Sequence, residues 1–287
     1  MGRLLALLDD GDAAGRALGL RAFEVILVLV VAAEYWARAI PKWGLLAPAY
    51  HGHLALASVL CLVALRRAWR RPALAALAAS HAILVWREFP ATGNHAYLEV
   101  VFFALAALCA TGTRDDDALA HRAIRWLVCV VFFWSAAQKL AYGYWTNGAY
   151  LAFSLDSAGF RPVLAWLIDP AELARLSTYR GRPGDGPYLV ADWRLLGVSN
   201  GTWVVELALA PLFLWRRTRR VAALLGLGLL LGIEVGAREM FFGLVFANAI
   251  ALYLPGTWHR RAVPLVAVLL AALTLSRLGV LPEMVFH

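Results

Sequence analysis

The stretch that decides the fold is IRWLVCVVFFWSAAQKLAYGYWTNGAYLAFSL, residues 124–155. Its first part, 124–144, is apolar and close to the ~20 residues that a membrane helix needs. That part nevertheless contains Lys139. Only two of the 27 basic residues in the chain are lysines, Lys42 and Lys139, and all the others are arginines. The stretch therefore predicts a membrane helix with an unusual lysine near its end.

Composition extends this prediction to the whole chain of 287 residues. Hydrophobic residues make up 62% and charged residues 16% of it, whereas a soluble domain carries about 25% charged residues. We predict an all-α fold, a polytopic integral membrane bundle of nine helices, or eight if the third stretch does not span. The stretches are 21–40, 52–68, 72–89, 97–112, 124–144, 200–215, 220–237, 240–254 and 262–280. They form one predicted domain, 21–280, preceded by a cytoplasmic or interfacial segment, 1–20.

The distribution of arginine predicts the orientation of these helices. Four basic clusters lie between the apolar stretches, at 66–71, 122–125, 216–220 and 260–261. With nine spans and a cytoplasmic N-terminus, all four clusters fall on the cytoplasmic side, as the positive-inside rule requires. No basic face with interleaved aromatics is evident in the sequence, so we expect the lipid bilayer as a partner and no nucleic acid.

The same topology places one long segment, 145–199, on the outer side of the membrane. We expect short interfacial helices there, one of them beginning at Pro170, because proline is favoured at the first position of a helix. The Gly- and Pro-rich stretch 181–188 predicts a loop. A segment of this length between spans is more often functional than idle.

Ionisable residues inside membrane helices usually face a bundle interior or a cavity and mark function. Several of them fall in the outer half of the predicted membrane, namely Glu34, Arg38, His95, Glu99, Lys139, Glu206, Glu234 and Arg238. Glu24 lies near the inner face instead. This layer of polar residues predicts a buried site that opens outward.

Helical spacing groups some of these residues. Ser135, Lys139 and Tyr142 follow an i, i+4, i+7 pattern and therefore share one face. His95 and Glu99 are four residues apart, so the carboxylate can orient the imidazole.

A structural interpretation stands beside each functional one. Glu34 with Arg38 and Glu234 with Arg238 are i, i+4 pairs that lower the cost of a membrane charge. Lys139 can snorkel outward, as can His81 at the interface.

The choice of lysine at position 139 has a chemical meaning. Arginine stays protonated under accessible conditions, whereas a desolvated lysine can lose its proton and become a base or a nucleophile. A site that needed only positive charge would be expected to use arginine in this chain. Lys139 is therefore our candidate for a proton acceptor.

Other chemistries have little support in the sequence. The three cysteines, Cys61, Cys109 and Cys129, lie in apolar stretches without metal-ligand spacing, and we predict no metal site. Metalloprotease, P-loop, nucleophile-elbow and dinucleotide-binding motifs are missing.

Two motifs resemble the vitamin K-dependent γ-carboxylase family and its bacterial relatives, the HTTM (horizontally transferred transmembrane) proteins. The first is FFWSAAQKLAYGYWTNGAYL, with Lys-Leu at the end of an aromatic-rich helix and Trp and Gly just after it. The second is GNHAYL, residues 93–98, with an Asn-His pair at the start of a helix. The later stretches WVVELALAPLFLWRRTRR and EMFFGLVFANAIALYL are similar in hydropathy. The resemblance covers roughly residues 20–255.

The resemblance implies a chemistry. In that family the matching lysine deprotonates a reduced quinone, vitamin K hydroquinone, which reacts with oxygen and ends as the epoxide. It therefore implies Lys139 as the base and places Asn94 and His95 near the quinone head group. A nine-span layout with the site toward the outer side, and the inner membrane of a bacterium as the location, also follow from the resemblance.

From the residues and the resemblance together we expect Lys139 and His95 as catalytic groups. The expected substrate-binding residues are Asn94, Tyr97, Glu99, Ser135, Tyr142, Trp145 and Glu206. The chain departs from the carboxylases because it ends at His287 without their large outer domain, and because it has Glu234 where the family often has a histidine. We therefore expect quinol oxidation without protein carboxylation, with a partner peptide or protein on the outer side left open.

Two other classes of function remain open from the sequence. One is a non-catalytic membrane subunit that assists the maturation or export of a partner. The other is a transporter, in which Glu24 would line an inner opening.

Overall fold

The computed structural model describes residues 13–39, 48–89, 94–109, 113–155, 160–177, 190–237, 240–277 and 280. Every regular element within these ranges is a helix, which confirms the predicted all-α fold. The helices are α1 (Ala13–Ala39), α2 (Pro48–Ala64), α3 (Arg70–Glu88), α4 (Asn94–Cys109), α5 (Arg114–Tyr142), α6 (Ala149–Ser154), α7 (Phe160–Leu167), α8 (Pro170–Leu176), α9 (Trp193–Leu214), α10 (Arg219–Ala237), α11 (Met240–Ala251) and α12 (Gly256–Arg277).

Among the described residues, three helices are long and apolar enough to cross a membrane by length and composition: α5, α9 and the part of α12 at Gly256–Ser276. Between 22% and 28% of each apolar window is buried, so most residues of these windows are at least partly exposed. Soluble monomers rarely expose such continuous apolar surface. Each of the nine stretches predicted as spans overlaps one of the helices α1–α5 and α9–α12.

Helices α1, α5, α9 and α12 each begin several residues earlier than the apolar pattern predicts, and the caps of α5 and α9 show why. Helix α5 begins at Arg114 rather than near 124 because Thr113 caps it. The Thr113 hydroxyl accepts from the backbone N–H of Asp116 at 3.2 Å and donates to the Asp116 carboxylate at 2.6 Å, which is close to a capping box. Helix α9 begins at Trp193 because the Asp192 carboxylate accepts from the N–H of Arg194 at 2.7 Å.

The chain divides into two compact units. The first contains Met1–Arg125 with Phe241–Phe286, and the second contains Trp126–Met240. The predicted single domain over 21–280 stays a prediction. Of the predicted N-terminal segment, 1–12 lies outside the described residues, and 13–20 continues into α1.

In the first unit, α1 packs along α12, and α3 packs along α2 and α4. Gly256 lets α1 and α12 approach closely, since a Cβ at this position would collide with the backbone carbonyl of Gly15. Asn248 of α11 connects both helices. Its amide donates to the carbonyl of Phe23 at 2.9 Å, and its Oδ1 lies 2.8 Å from Nε2 of His259.

In the second unit, the predicted outer segment forms the short helices α6, α7 and α8. Pro170 stands at the start of α8, as predicted, and the Asp169 carboxylate caps that helix by accepting from the N–H of Ala171 at 2.9 Å. Leucines and alanines of this segment pack with Leu195 of α9 into a buried cluster. The loop predicted at 181–188 lies outside the described residues.

Candidate functional site

The side chain of Lys139 forms an ion pair between α5 and α9. Its Nζ lies 2.8 Å from each carboxylate oxygen of Glu206 and 2.6 Å from the hydroxyl of Ser135. The Ser135 hydroxyl in turn donates to Glu206 Oε1 at 3.1 Å. The three polar groups therefore form a closed hydrogen-bonded cluster, which we call the lysine cluster.

The lysine cluster is largely shielded from solvent. The side chain of Lys139 is 14% exposed and that of Glu206 is 5% exposed. The ring of Trp145 lies over the amine, with its centroid 4.9 Å from Nζ, which is the geometry of a cation–π contact. The snorkelling alternative is therefore not the arrangement found here, because the amine is held by groups of its own unit.

Contacts farther along the same face of α5 hold α9 in position. Cys129 donates through Sγ to the carbonyl of Ala210 at 3.3 Å. The ring of Phe132 stacks on that of Phe213, with centroids 6.0 Å apart. Cys129, Phe132 and Lys139 lie three and seven residues apart, so they share one helix face. This packing brings Glu206 to the lysine.

The turn after α5 brings Trp145 to the cluster. Gly143 and Gly148 adopt positive φ angles of 72° and 74°, which glycine tolerates and other residues rarely adopt. Between them, the backbone carbonyl of Trp145 accepts from the Ser199 hydroxyl. The side-chain amide of Asn200 donates to the carbonyl of Thr146 at 3.1 Å. Helix α9 therefore fixes both the carboxylate and the aromatic ring of the cluster.

Of the predicted substrate-binding residues, Ser135, Trp145 and Glu206 come together around Lys139. Tyr142 does not join them, since its side chain is 70% exposed. Ser135 and Lys139, which are four residues apart, contact each other as their shared face allows. Tyr142, three residues further along the helix, lies beyond the cluster. Glu206 was a candidate on its own, and its partner could not be inferred from spacing.

The other predicted site residues belong to the first unit, on α4. Asn94 and His95 begin that helix, and their side chains lie outside the described part of the structure. Tyr97 is 41% exposed, whereas Glu99 is fully buried. Whether His95 contacts Glu99, as the spacing predicts, therefore stays a prediction.

Glu99 takes part in a second buried polar group, the histidine cluster of Tyr35, His81 and Glu99. His81 Nε2 lies 2.7 Å from Glu99 Oε2, and His81 Nδ1 lies 2.8 Å from the hydroxyl of Tyr35. His81 is only 4% exposed, so the snorkelling interpretation of this residue is wrong. The helices α1, α3 and α4 each contribute one member.

A histidine next to the histidine cluster extends its polar surroundings. Ser80 Oγ lies 3.1 Å from Nε2 of His53, and the ring of His53 lies 5.9 Å from that of Tyr35. The sequence did not predict the histidine cluster, because Tyr35, His81 and Glu99 lie on three different helices and share no spacing. Tyr35 next to the candidate Glu34 was the available signal.

The two Glu/Arg pairs predicted as structural are described only in part. Glu34 is buried, while the side chain of Arg38 lies outside the described residues. Glu234 is half-buried, and Arg238 is likewise outside them. These pairings stay predictions.

A cavity of about 360 Å³ lies in the first unit, and Glu24 is part of its lining. Its other lining residues come from α1, the α2–α3 turn, the start of α3, the end of α4 and the start of α5. None of them belongs to the lysine cluster. The transporter interpretation of Glu24 stays a prediction.

Within the described ranges, no group of three His, Cys, Asp or Glu side chains is arranged to hold a metal ion. The lysine cluster consists of an amine, a carboxylate and a hydroxyl, which are side-chain groups that can exchange protons. Comparison of the chain with protein-family models, with curated proteins and with solved structures found no match. The family resemblance of the two motifs stays a prediction.

Proposed function

We propose that this protein is an integral membrane enzyme in which Lys139 acts as the base that deprotonates a lipid-soluble quinol, and O2 then oxidises the deprotonated quinol. The contact between Lys139 Nζ and the Glu206 carboxylate, inside two helices apolar enough to cross a membrane, carries the proposal. Ionisable residues in such helices are costly and are kept where they serve a function. The proposed substrate is a quinol that resembles vitamin K hydroquinone.

The geometry supports proton transfer at two defined atoms. An amine and a carboxylate 2.8 Å apart can hold their shared proton on either partner. When Glu206 takes that proton, the neutral Nζ becomes a base for a substrate hydroxyl. Because the three contacts of Nζ go to Ser135 and Glu206, a hydroxyl would have to replace one of them to reach the amine.

The surroundings of the amine suit a flat, apolar ring. Trp145 presents its ring to Nζ and stacks on Tyr150, with ring centroids 4.7 Å apart. An aromatic surface of this kind can stack on a quinol ring. Asn94 and His95 remain proposed contributors from the resemblance, and Tyr97 and Glu99 from their positions beside them in the sequence.

The membrane arrangement proposed with this activity has nine spans, a cytoplasmic N-terminus and the lysine cluster toward the outer side of a bacterial inner membrane. The positions of arginine support it. The basic groups at 66–71 and 216–220 fall in and beside the α2–α3 and α9–α10 connections, and Arg260 and Arg261 lie near the start of α12. Under the positive-inside rule these ends share the cytoplasmic side.

A second candidate is a non-catalytic membrane subunit that assists a partner peptide or protein. The observation in its favour is the same ion pair, which can simply join α5 to α9. In that case charge complementarity matters and proton transfer does not, so an arginine at position 139 would serve as well as lysine.

The first experiment asks whether a quinone is bound. The protein is purified from its membrane in mild detergent, and co-purifying lipids are identified by mass spectrometry, with an unrelated polytopic membrane protein as the control. We expect one quinone in near-stoichiometric amount. A quinone content no higher than in the control would contradict the proposed substrate class.

A further inference from the structure

The cavity of about 360 Å³ in the first unit combines an apolar lining with charged side chains. Leu20, Phe23 and Ile124 supply apolar lining, and the charged residues come from α1, the α2–α3 turn, the start of α3 and the start of α5. The cavity lies at one end of five helices rather than in their middle. A molecule with an apolar tail and a charged head fits such a place.

Two of the cations in this lining already have a carboxylate partner. Arg21 and Arg70 each lie 3.2 Å from Oε2 of Glu24, and Arg21 also donates to the carbonyl of Leu65 at 2.8 Å. These contacts neutralise Glu24 and fix one wall of the cavity. Because Glu24 is already paired with two guanidinium groups, its carboxylate is not available to an added cation.

Two further side chains of opposite charge line the cavity without such an ion pair to a described residue. Within the described residues, the side chains of Arg67 and Asp117 make no hydrogen bond or ion pair, although both line the cavity. The carboxylate of Asp117 makes no short contact with a cation of the described part of the chain, although Arg70 and Arg16 attract it and Asp116 and Glu24 repel it at longer range. The cavity therefore offers one guanidinium and one carboxylate to whatever enters it.

We propose that this cavity binds the zwitterionic headgroup of an amino-phospholipid. The phosphate would accept from Arg67, since guanidinium–phosphate contacts are strong and geometrically specific. The primary ammonium would donate to Asp117, and the acyl chains would leave along the apolar lining. A phospholipid with a primary amine, as in phosphatidylethanolamine, has the required groups.

The charge pattern discriminates between headgroups. An anionic headgroup such as phosphatidylglycerol satisfies Arg67 but places no cation against Asp117. A phosphatidylcholine headgroup carries positive charge but no N–H donor for the carboxylate. The cavity is thus expected to select for the primary amine and not merely for negative charge.

The test uses the full chain after delipidation in detergent. Phosphatidylethanolamine, phosphatidylglycerol and phosphatidylcholine with identical acyl chains are titrated separately, and lipid-bound species are counted by native mass spectrometry. Phosphoethanolamine without acyl chains is titrated in the same way to separate a lipid from a soluble zwitterion.

The informative variants are Arg67→Gln and Asp117→Asn. Their matched controls are Arg66→Gln and Asp115→Asn, which change neighbouring residues that do not line the cavity. We expect each informative variant to weaken phosphatidylethanolamine binding about tenfold, the loss of one charge-assisted contact, and each control to leave it unchanged. Helix content by circular dichroism shows that the variants are folded.

Three results would overturn the proposal. Phosphatidylglycerol or phosphatidylcholine could bind as tightly as phosphatidylethanolamine, which would show that the cavity does not select for the primary amine. Folded Arg67→Gln or Asp117→Asn could bind phosphatidylethanolamine like the wild type, which would show that the cavity is not the binding site. Phosphoethanolamine could bind as tightly as the lipid, which would make the ligand a soluble molecule. Each result is independent of the activity proposed for Lys139.

Discussion

Lys139 and Glu206, which are 67 residues apart in the chain, are joined by two contacts of 2.8 Å between Nζ and both carboxylate oxygens. Both side chains are largely buried. An intact buried ion pair has little net effect on the free energy of unfolding, whereas removal of one partner leaves an unpaired buried charge and destabilises the protein strongly. The pair is therefore at once a connection between α5 and α9 and the proposed proton-transfer site.

The ion pair predicts a non-additive effect of mutation on stability. Lys139→Met and Glu206→Met should each lower the free energy of unfolding by about 3 kcal/mol, because each leaves one buried charge without its partner. The double variant should lose less than either single variant. Unfolding in mixed micelles of dodecyl maltoside and sodium dodecyl sulfate, followed by circular dichroism, measures all three. Additive losses would show that the two side chains do not interact in the folded protein.

The turn that holds Trp145 predicts a difference between two glycines. Gly148→Ala should destabilise the protein more than Gly143→Ala, by about 1 kcal/mol from crowding. Both substitutions place alanine at a positive φ, but only a Cβ at Gly148 meets neighbours, Val190 at 3.1 Å and Leu196 at 3.2 Å. Thermal unfolding of the two variants gives the comparison. Equal melting temperatures would contradict the described packing of this turn.

Helix α8 predicts an acid-sensitive contribution to stability. Two hydrogen bonds of 2.7 Å from Arg175 hold the pKa of the Glu172 carboxyl below its usual value, against the opposing effect of burial and with help from the N–H of Ala191. Since the folded pKa is depressed, this contribution is fully present above the unfolded pKa of about 4.3. It is lost as the pH falls through the folded pKa.

The corresponding measurement is the melting temperature between neutral pH and about pH 3, which covers the titration of a carboxyl. The wild type should lose more stability on acidification than Glu172→Gln does. Arg175→Gln removes the same hydrogen bonds from the other side and should flatten the profile in the same way. Three parallel profiles would show that this contact adds nothing that depends on pH.

The histidine cluster predicts a graded response in the first unit. Tyr35→Phe removes a single buried hydroxyl contact and should lower stability by about 1 kcal/mol. Glu99→Ala removes the carboxylate beside His81 and opens a void at a fully buried position, so its cost should be larger, about 3 kcal/mol. Thermal unfolding orders the two variants. A Glu99→Ala protein as stable as Tyr35→Phe would argue against the described cluster.

The sequence predicted the helical fold well because long apolar stretches leave few alternatives. It placed Ser135 and Lys139 on one helix face because helical spacing is local. The early starts of α5 and α9 were missed because hydropathy marks the apolar part of a helix and not its capped polar extension. Thr113 and Asp192 carried the information for those starts.

Contacts between helices were beyond the reach of sequence patterns. Nothing in the spacing pairs Lys139 with Glu206, since that contact depends on how α5 and α9 pack. His81 was hidden for the same reason, because its partners Tyr35 and Glu99 lie on two other helices. Arg67 and Asp117, which help to line the cavity, lie in a turn and at the start of a helix, and neither place has a period to detect.

The central claim is that Lys139 transfers a proton, and the comparison of wild type with Lys139→Arg tests it most directly. Both proteins are reconstituted in liposomes, and oxygen consumption is measured after addition of a reduced naphthoquinone, with Arg66→Gln as a control variant. We predict that wild type and control consume oxygen, and that Lys139→Arg does not, although it folds and binds the quinone. An arginine variant that turns over like the wild type, or a wild type that consumes no oxygen, would contradict the claim.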